Sequence, residues 1–185
     1  MKLTNLILTT PYLSLEPIFY HEVSPTPLKN PRLISHNPPA AELIGLDPSR
    51  LNAKELEELL NGTLLLEGSR PYAMCYAGHQ FGYYVQRLGD GRAINLGMTN
   101  GWNLQLKGSG QTLYSRQGDG RAVLRSSIRE YLMSEAIDAA EKNDFTLVND
   151  LLALAQNPYD EHERFERYAQ PTPHAFKNLK LSCSS

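Results

Sequence analysis

Gly89-Asp90-Gly91-Arg92 and Gly118-Asp119-Gly120-Arg121 repeat one tetrapeptide on either side of an apolar run that ends in Lys107. Gly89 and Gly91 carry no side chain, so the backbone there can approach a bulky polar ligand closely, and Arg92 can meet an anion. Lys107 closes the run Gln105-Leu106-Lys107 and is followed by Gly108-Ser109-Gly110. Arg121, Arg125 and Arg129 recur every four residues, which places them on one face of an expected helix. The amides at the start of that helix would add to the attraction for phosphate. Taken together, these residues point to phosphate binding. Each piece alone also reads more simply: a tight turn with a solvated arginine, a strand-end lysine in water, a basic helix face partnered by Glu130 and Glu135.

The positioning elements can be read from the same sequence. A lysine held on a strand beneath a glycine hairpin is the arrangement that kinases use for ATP phosphates, and Glu130 could orient it from the following helix. Residues 83–88 and 93–96 are expected to form an antiparallel hairpin across Gly89–Arg92, with residues 103–107 as a third strand after the Asn100-Gly101 turn. A long helix is expected from Asp119 or Gly120 to Lys142, its apolar face formed by residues 123, 124, 128, 131, 132, 136 and 137. A second helix covers residues 146–156. Upstream, Pro17, Pro25, Pro27 and Pro31 make residues 17–37 extended. A short helix after Pro38-Pro39 stops at Gly45, and residues 53–60 form an amphipathic helix closed by Asn61-Gly62. His79 in Ala-Gly-His-Gln-Phe-Gly has no serine or cysteine partner placed for a triad and reads as structural.

Composition narrows the classes. The 185 residues are 41% hydrophobic and 21% charged, which fits a globular chain and excludes a disordered one. With 18 basic and 20 acidic side chains the formal charge is -2, so a general nucleic-acid binder is not expected. No window reaches a membrane-spanning length, and the N-terminal stretch lacks a convincing cleavage signal. The expectation is a cytoplasmic protein without membrane contact. Cys75 and Cys183 show no metal-site spacing. Cys75 reads as a small core residue, and Cys183, near the end, as exposed and reactive.

The longer motifs carry a resemblance. Residues 19–33 (FYHEVSPTPLKNPRL), 76–97 (YAGHQFGYYVQRLGDGRAINLG), 103–136 and the final Ser-Cys-Ser-Ser resemble the SelO family, formerly YdiU or UPF0061. Its members are pseudokinase-like and transfer AMP from ATP to protein hydroxyls, binding ATP inverted relative to ordinary kinases. The resemblance implies that Gly89, Gly91 and Arg92 belong to the glycine-rich nucleotide loop. It makes Lys107 the strand lysine, places Asp119 and Gly120 in the nucleotide pocket, and makes Glu130 the helix glutamate that pairs with the lysine. Residues 137–185 resemble the extreme C-terminus of the same family, joined near residues 134–137. Two further pocket arginines, the catalytic aspartate, and the asparagine and aspartate that hold Mg2+ are not matched, so no catalytic or metal residue is assigned. Nor is the cysteine partner of the tail, so redox control through Cys183 is not carried over.

The expected fold is therefore α+β: an incomplete protein-kinase-like fold, with an antiparallel N-lobe sheet, a long helix and a C-terminal helical tail. The expected domains are residues 1–136, the N-lobe with its proline-rich extension, and residues 137–185, the tail region. The expected partners are ATP and, for the family, protein substrates and Mg2+; exposed lobe surface would favour self-association. The chain is expected to be inactive in AMP transfer, with a non-catalytic nucleotide-binding or interaction module, or an internally deleted remnant, as alternatives.

Overall fold

Leucine dominates the interior of the larger part of this protein. The structure, a computed structural model, describes residues 2–80 and 82–156. Residues 137–156 of the expected C-terminal region are among them, whereas its remainder, with Cys183, lies outside. The described chain divides into two compact units between Ala122 and Val123. The boundary expected at 136/137 lies within one continuous helix of the second unit.

In the first unit, a four-stranded antiparallel sheet has the order β1-β2-β5-β6: β1 (Tyr20–Glu22), β2 (Tyr72–Met74), β5 (Ala93–Thr99) and β6 (Trp102–Lys107). A separate two-stranded ribbon joins β3 (Gly78–Gln80) to β4 (Tyr83–Val85). Two helices precede β2. The first, α1 (Pro38–Leu43), starts with proline at its first turn and is capped by the Asn37 side chain, which accepts from Ala40 N at 3.1 Å. The second, α2 (Ala53–Asn61), is capped by Asn52 Oδ1, which accepts from Lys54 N and Glu55 N at 2.8 and 3.2 Å.

One face of the sheet rests on a cluster of Leu3, Leu6, Leu8, Leu46, Leu59, Leu66, Leu96 and Leu106. Alternation along β6 explains the split between faces. Leu104 and Leu106 turn toward the cluster, while Asn103, Gln105 and Lys107 are exposed. Each fully buried leucine contributes about 1.5–3 kcal/mol relative to exposure, which makes this cluster the main stabilising feature of the unit. The N-terminal segment closes over it, with Leu8 N donating to Glu67 O and Thr9 N to Met98 O.

The expected hairpin across Gly89–Arg92 does not form. β4 pairs with β3 instead, and β5 pairs with β6 through the Asn100-Gly101 turn. Residues 88–90 return to the end of β2: Leu88 N and Gly89 N donate to Tyr76 O, and Asp90 N donates to Met74 O at 2.9 Å. The ribbon is thus an excursion from an extended β2 ladder, a long-range pairing that local turn propensity does not encode.

The second unit holds α3 (Leu124–Glu141) and α4 (Thr146–Gln156). The helix expected from Asp119 or Gly120 starts later, because residues 119–122 are held in a non-helical loop. The apolar face expected on α3 is largely exposed: Leu124, Ile128, Tyr131 and Ile137 are open to solvent, and Ala136 is the buried member. No helix among the described residues is long and apolar enough to cross a membrane.

Candidate functional site

The two Gly-Asp-Gly-Arg loops meet at one end of the four-stranded sheet. Ala93 is the register partner of Lys107, and Gly108 N donates to Arg92 O at 2.7 Å, so Arg92 and Lys107 lie at the same end of the β5–β6 ladder. Beyond Lys107, Gly110 N donates to Gly120 O at 3.2 Å, which brings the second loop onto the Gly108-Ser109-Gly110 segment beside Arg92. Arg121 clamps the junction, its Nη1 donating to Thr26 O at 2.7 Å and to Gly108 O at 3.3 Å. Asp119 Oδ1 accepts from Arg121 N at 2.9 Å and turns the chain there. Arg121 is therefore a loop residue committed to carbonyls. The expected ladder of three arginines reduces to Arg125 and Arg129 on α3.

Gly120 sits at φ +69°, and a Cβ there would fall on the Gly110 carbonyl. Gly89, at φ +58°, lies against the face of the Tyr114 ring, and a Cβ at Gly91 would stand 3.0 Å from Tyr114 O. The space freed by the first glycine pair is thus taken up by the segment 112–115. That segment is itself anchored to the loop: Thr112 Oγ1 donates to Asp90 O and Ser115 Oγ donates to Gly91 O, both at 2.6 Å.

Asp90, 5% exposed, is the buried centre of this end of the sheet. Its Oδ2 accepts from Met74 N and from Asn95 Nδ2, both at 3.0 Å. Asn95 Oδ1 in turn accepts from Asn103 Nδ2 at 2.6 Å and Gln105 Nε2 at 3.1 Å. This chain of bonds runs from the first loop to the exposed edge strand that ends in Lys107. The sequence reading missed Asp90, Asn95 and Tyr114. The available signal was Asn95 itself, a polar residue inside the apolar run Ala93-Ile94-Asn95-Leu96.

Burial pushes the Tyr114 phenol up to about 12, with the Cys75 side chain adding to the rise and Arg87 opposing it. Burial also raises Tyr12, Tyr72 and Tyr76, and the Asp90 charge contributes to each. A phenol whose folded pKa lies above its unfolded value near 10 contributes stability that is fully present below pH 10 and is lost as pH rises toward 12. Denaturant midpoints measured from pH 9 to 12 should therefore fall with pH, and the fall should be shallower in Tyr114→Phe. An unchanged slope in that variant would contradict the assignment.

Chemically, this sheet end offers one exposed and one half-buried cation, Lys107 and Arg92. It also contains one buried hydroxyl, Ser109 Oγ, that has no hydrogen-bond partner among the described residues. That set suits a polyphosphate anion. A divalent cation is not matched in the same way: no group of three histidine, cysteine, aspartate or glutamate side chains that could hold a metal occurs among the described residues.

Comparison with known proteins adds the family. The model for "Protein adenylyltransferase SelO" matches residues 2–141. The "Protein nucleotidyltransferase YdiU" of Azoarcus sp. (strain BH72) is 54% identical over 123 residues, which is 64% of this chain and 24% of that protein. The protein of the same name from Rhodopirellula baltica is also 54% identical over 123 residues, covering 23% of its length. That from Thiobacillus denitrificans is 49% identical over 144 residues, covering 75% of this chain and 30% of the relative. The chain thus spans about a quarter of the length of the curated relatives it matches.

Proposed function

Because this chain belongs to the SelO family of protein adenylyltransferases, we propose that the end of its sheet is the ATP phosphate site of a kinase-like N-lobe. In this reading Gly89, Gly91, Arg92, Lys107, Asp119 and Gly120 surround the nucleotide, and Glu130 is the supporting glutamate. One observation carries it: Lys107, Arg92 and both Gly-Asp-Gly-Arg loops, far apart in sequence, are tied to one place by backbone hydrogen bonds. Lys107 and Arg92 would neutralise phosphate charge.

AMP transfer to a protein hydroxyl is assigned to a whole protein of the relatives' length. By itself this chain is proposed to bind nucleotide without transferring AMP, since metal-assisted positioning at the reacting phosphorus needs ligands that the matched residues do not include. The exposed apolar residues of α3 suit contact with a further protein surface, a second copy among them. A second reading rests on Tyr114, which fills the space beside Gly89. It makes the glycines packing residues and the chain a folded remnant without a ligand.

Calorimetric titration with Mg2+-ATP separates the two readings. Saturable binding is expected, weakened about 10- to 100-fold in Lys107→Ala and in Arg92→Ala, the loss of a charge-assisted contact. No binding by a folded parent would leave the remnant reading. Incorporation of labelled AMP into protein by this chain would overturn the proposal that it is inactive.

A further inference from the structure

Ser109 stands in the Gly-Ser-Gly loop directly after Lys107, and three hydrogen bonds fix its backbone surroundings. Thr26 N donates to Ser109 O at 2.6 Å, Gly108 N to Arg92 O and Gly110 N to Gly120 O. The residue is 8% exposed, and its hydroxyl meets neither solvent nor any described hydrogen-bonding group. Buried hydroxyls are ordinarily paired, because leaving one desolvated is costly.

We propose that Ser109 is a ligand-contacting residue of the same site, its hydroxyl donating to a phosphate oxygen of the bound nucleotide. The inference rests on the phosphate-site reading and adds a residue to it. Ser109 lies two residues from Lys107, a span of about 7 Å at most between Cα atoms, so a phosphate drawn to the lysine is within range of the loop. The guanidinium of Arg121 lies across Gly108 O and Thr26 O. Exposing the hydroxyl to a ligand therefore requires the loop to give up some of its backbone bonds as well as the Arg121 contacts.

The test compares the full chain with Ser109→Ala in two measurements, thermal unfolding without ligand and titration with Mg2+-ATP. The expected result is an unfolding temperature no lower than the parent's, with ATP affinity reduced about tenfold or more. Inorganic tripolyphosphate should show the same loss, and adenosine should show none. Equal ATP affinity in Ser109→Ala and the parent would overturn the role of Ser109 while leaving the phosphate site intact. A marked drop in unfolding temperature would overturn it too, because the hydroxyl would then be a structural partner. Absence of ATP binding by the folded parent would overturn the phosphate-site reading itself, and this inference with it.

Discussion

Gly120→Ala should destabilise the first unit by about 4 kcal/mol or more and abolish nucleotide binding. The added methyl would fall on backbone atoms of Gly110 and Gln111, not on the end of a flexible side chain. Relief therefore requires the two loops to part. The φ of +69° adds the usual penalty for a residue with a Cβ in left-handed backbone. Parting the loops breaks the Gly110 N–Gly120 O bond and removes the carbonyls that hold Arg121. Circular dichroism melts should show a loss of cooperativity or a large fall in midpoint. A variant that melts like the parent would mean that the two loops do not touch.

The second large effect is expected at Asp90. Removing its carboxylate in Asp90→Ala leaves Met74 N without this acceptor and leaves Asn95 Nδ2 with only its longer bond to Tyr72 O at 3.4 Å. One unsatisfied donor costs about 1–3 kcal/mol and the weakened Asn95 bond adds to it, so a total of about 2–4 kcal/mol is expected. Asp90→Asn should cost much less, since both donors reach the same oxygen, Oδ2, and an amide oxygen can take that place. Denaturant titration of the pair reads the difference. If Asp90→Asn proves as damaging as Asp90→Ala, the negative charge rather than the acceptor atom is what the sheet requires.

These two residues also show where sequence reading succeeds and where it stops. Local signals placed α2 almost to the residue, because the leucine spacing and the Asn61-Gly62 stop act within one helix. The Asn100-Gly101 turn and the strands beside it were legible for the same reason. Gly89–Arg92 looked like a hairpin because glycine and aspartate favour turns. What decides its shape is the bond that Met74 N, 16 positions away, donates to the Asp90 carboxylate. Arg121 seemed a helix residue by its four-residue spacing, yet the carbonyl of Thr26, 95 positions away, claims it. The stripe assigned to α3 marked apolar residues correctly but not their burial, which depends on a covering surface that periodicity does not name. The candidate site residues stand in sequence motifs. Asn95 and Tyr114 stand outside the Gly-Asp-Gly-Arg repeats, and Asp90, although inside the first repeat, takes its buried role from the packing.

Amide hydrogen exchange with and without saturating Mg2+-ATP tests the central claim most directly, because it reports where the nucleotide acts. The account predicts slowed exchange in residues 89–92, 107–110 and 118–121 together, with little change in α1 and α2. It also predicts that Lys107→Ala removes all three responses at once, since the loops form one site. Unaltered exchange in these segments at saturating nucleotide, or protection confined to α2 and the neighbouring residues 28–35, would contradict it.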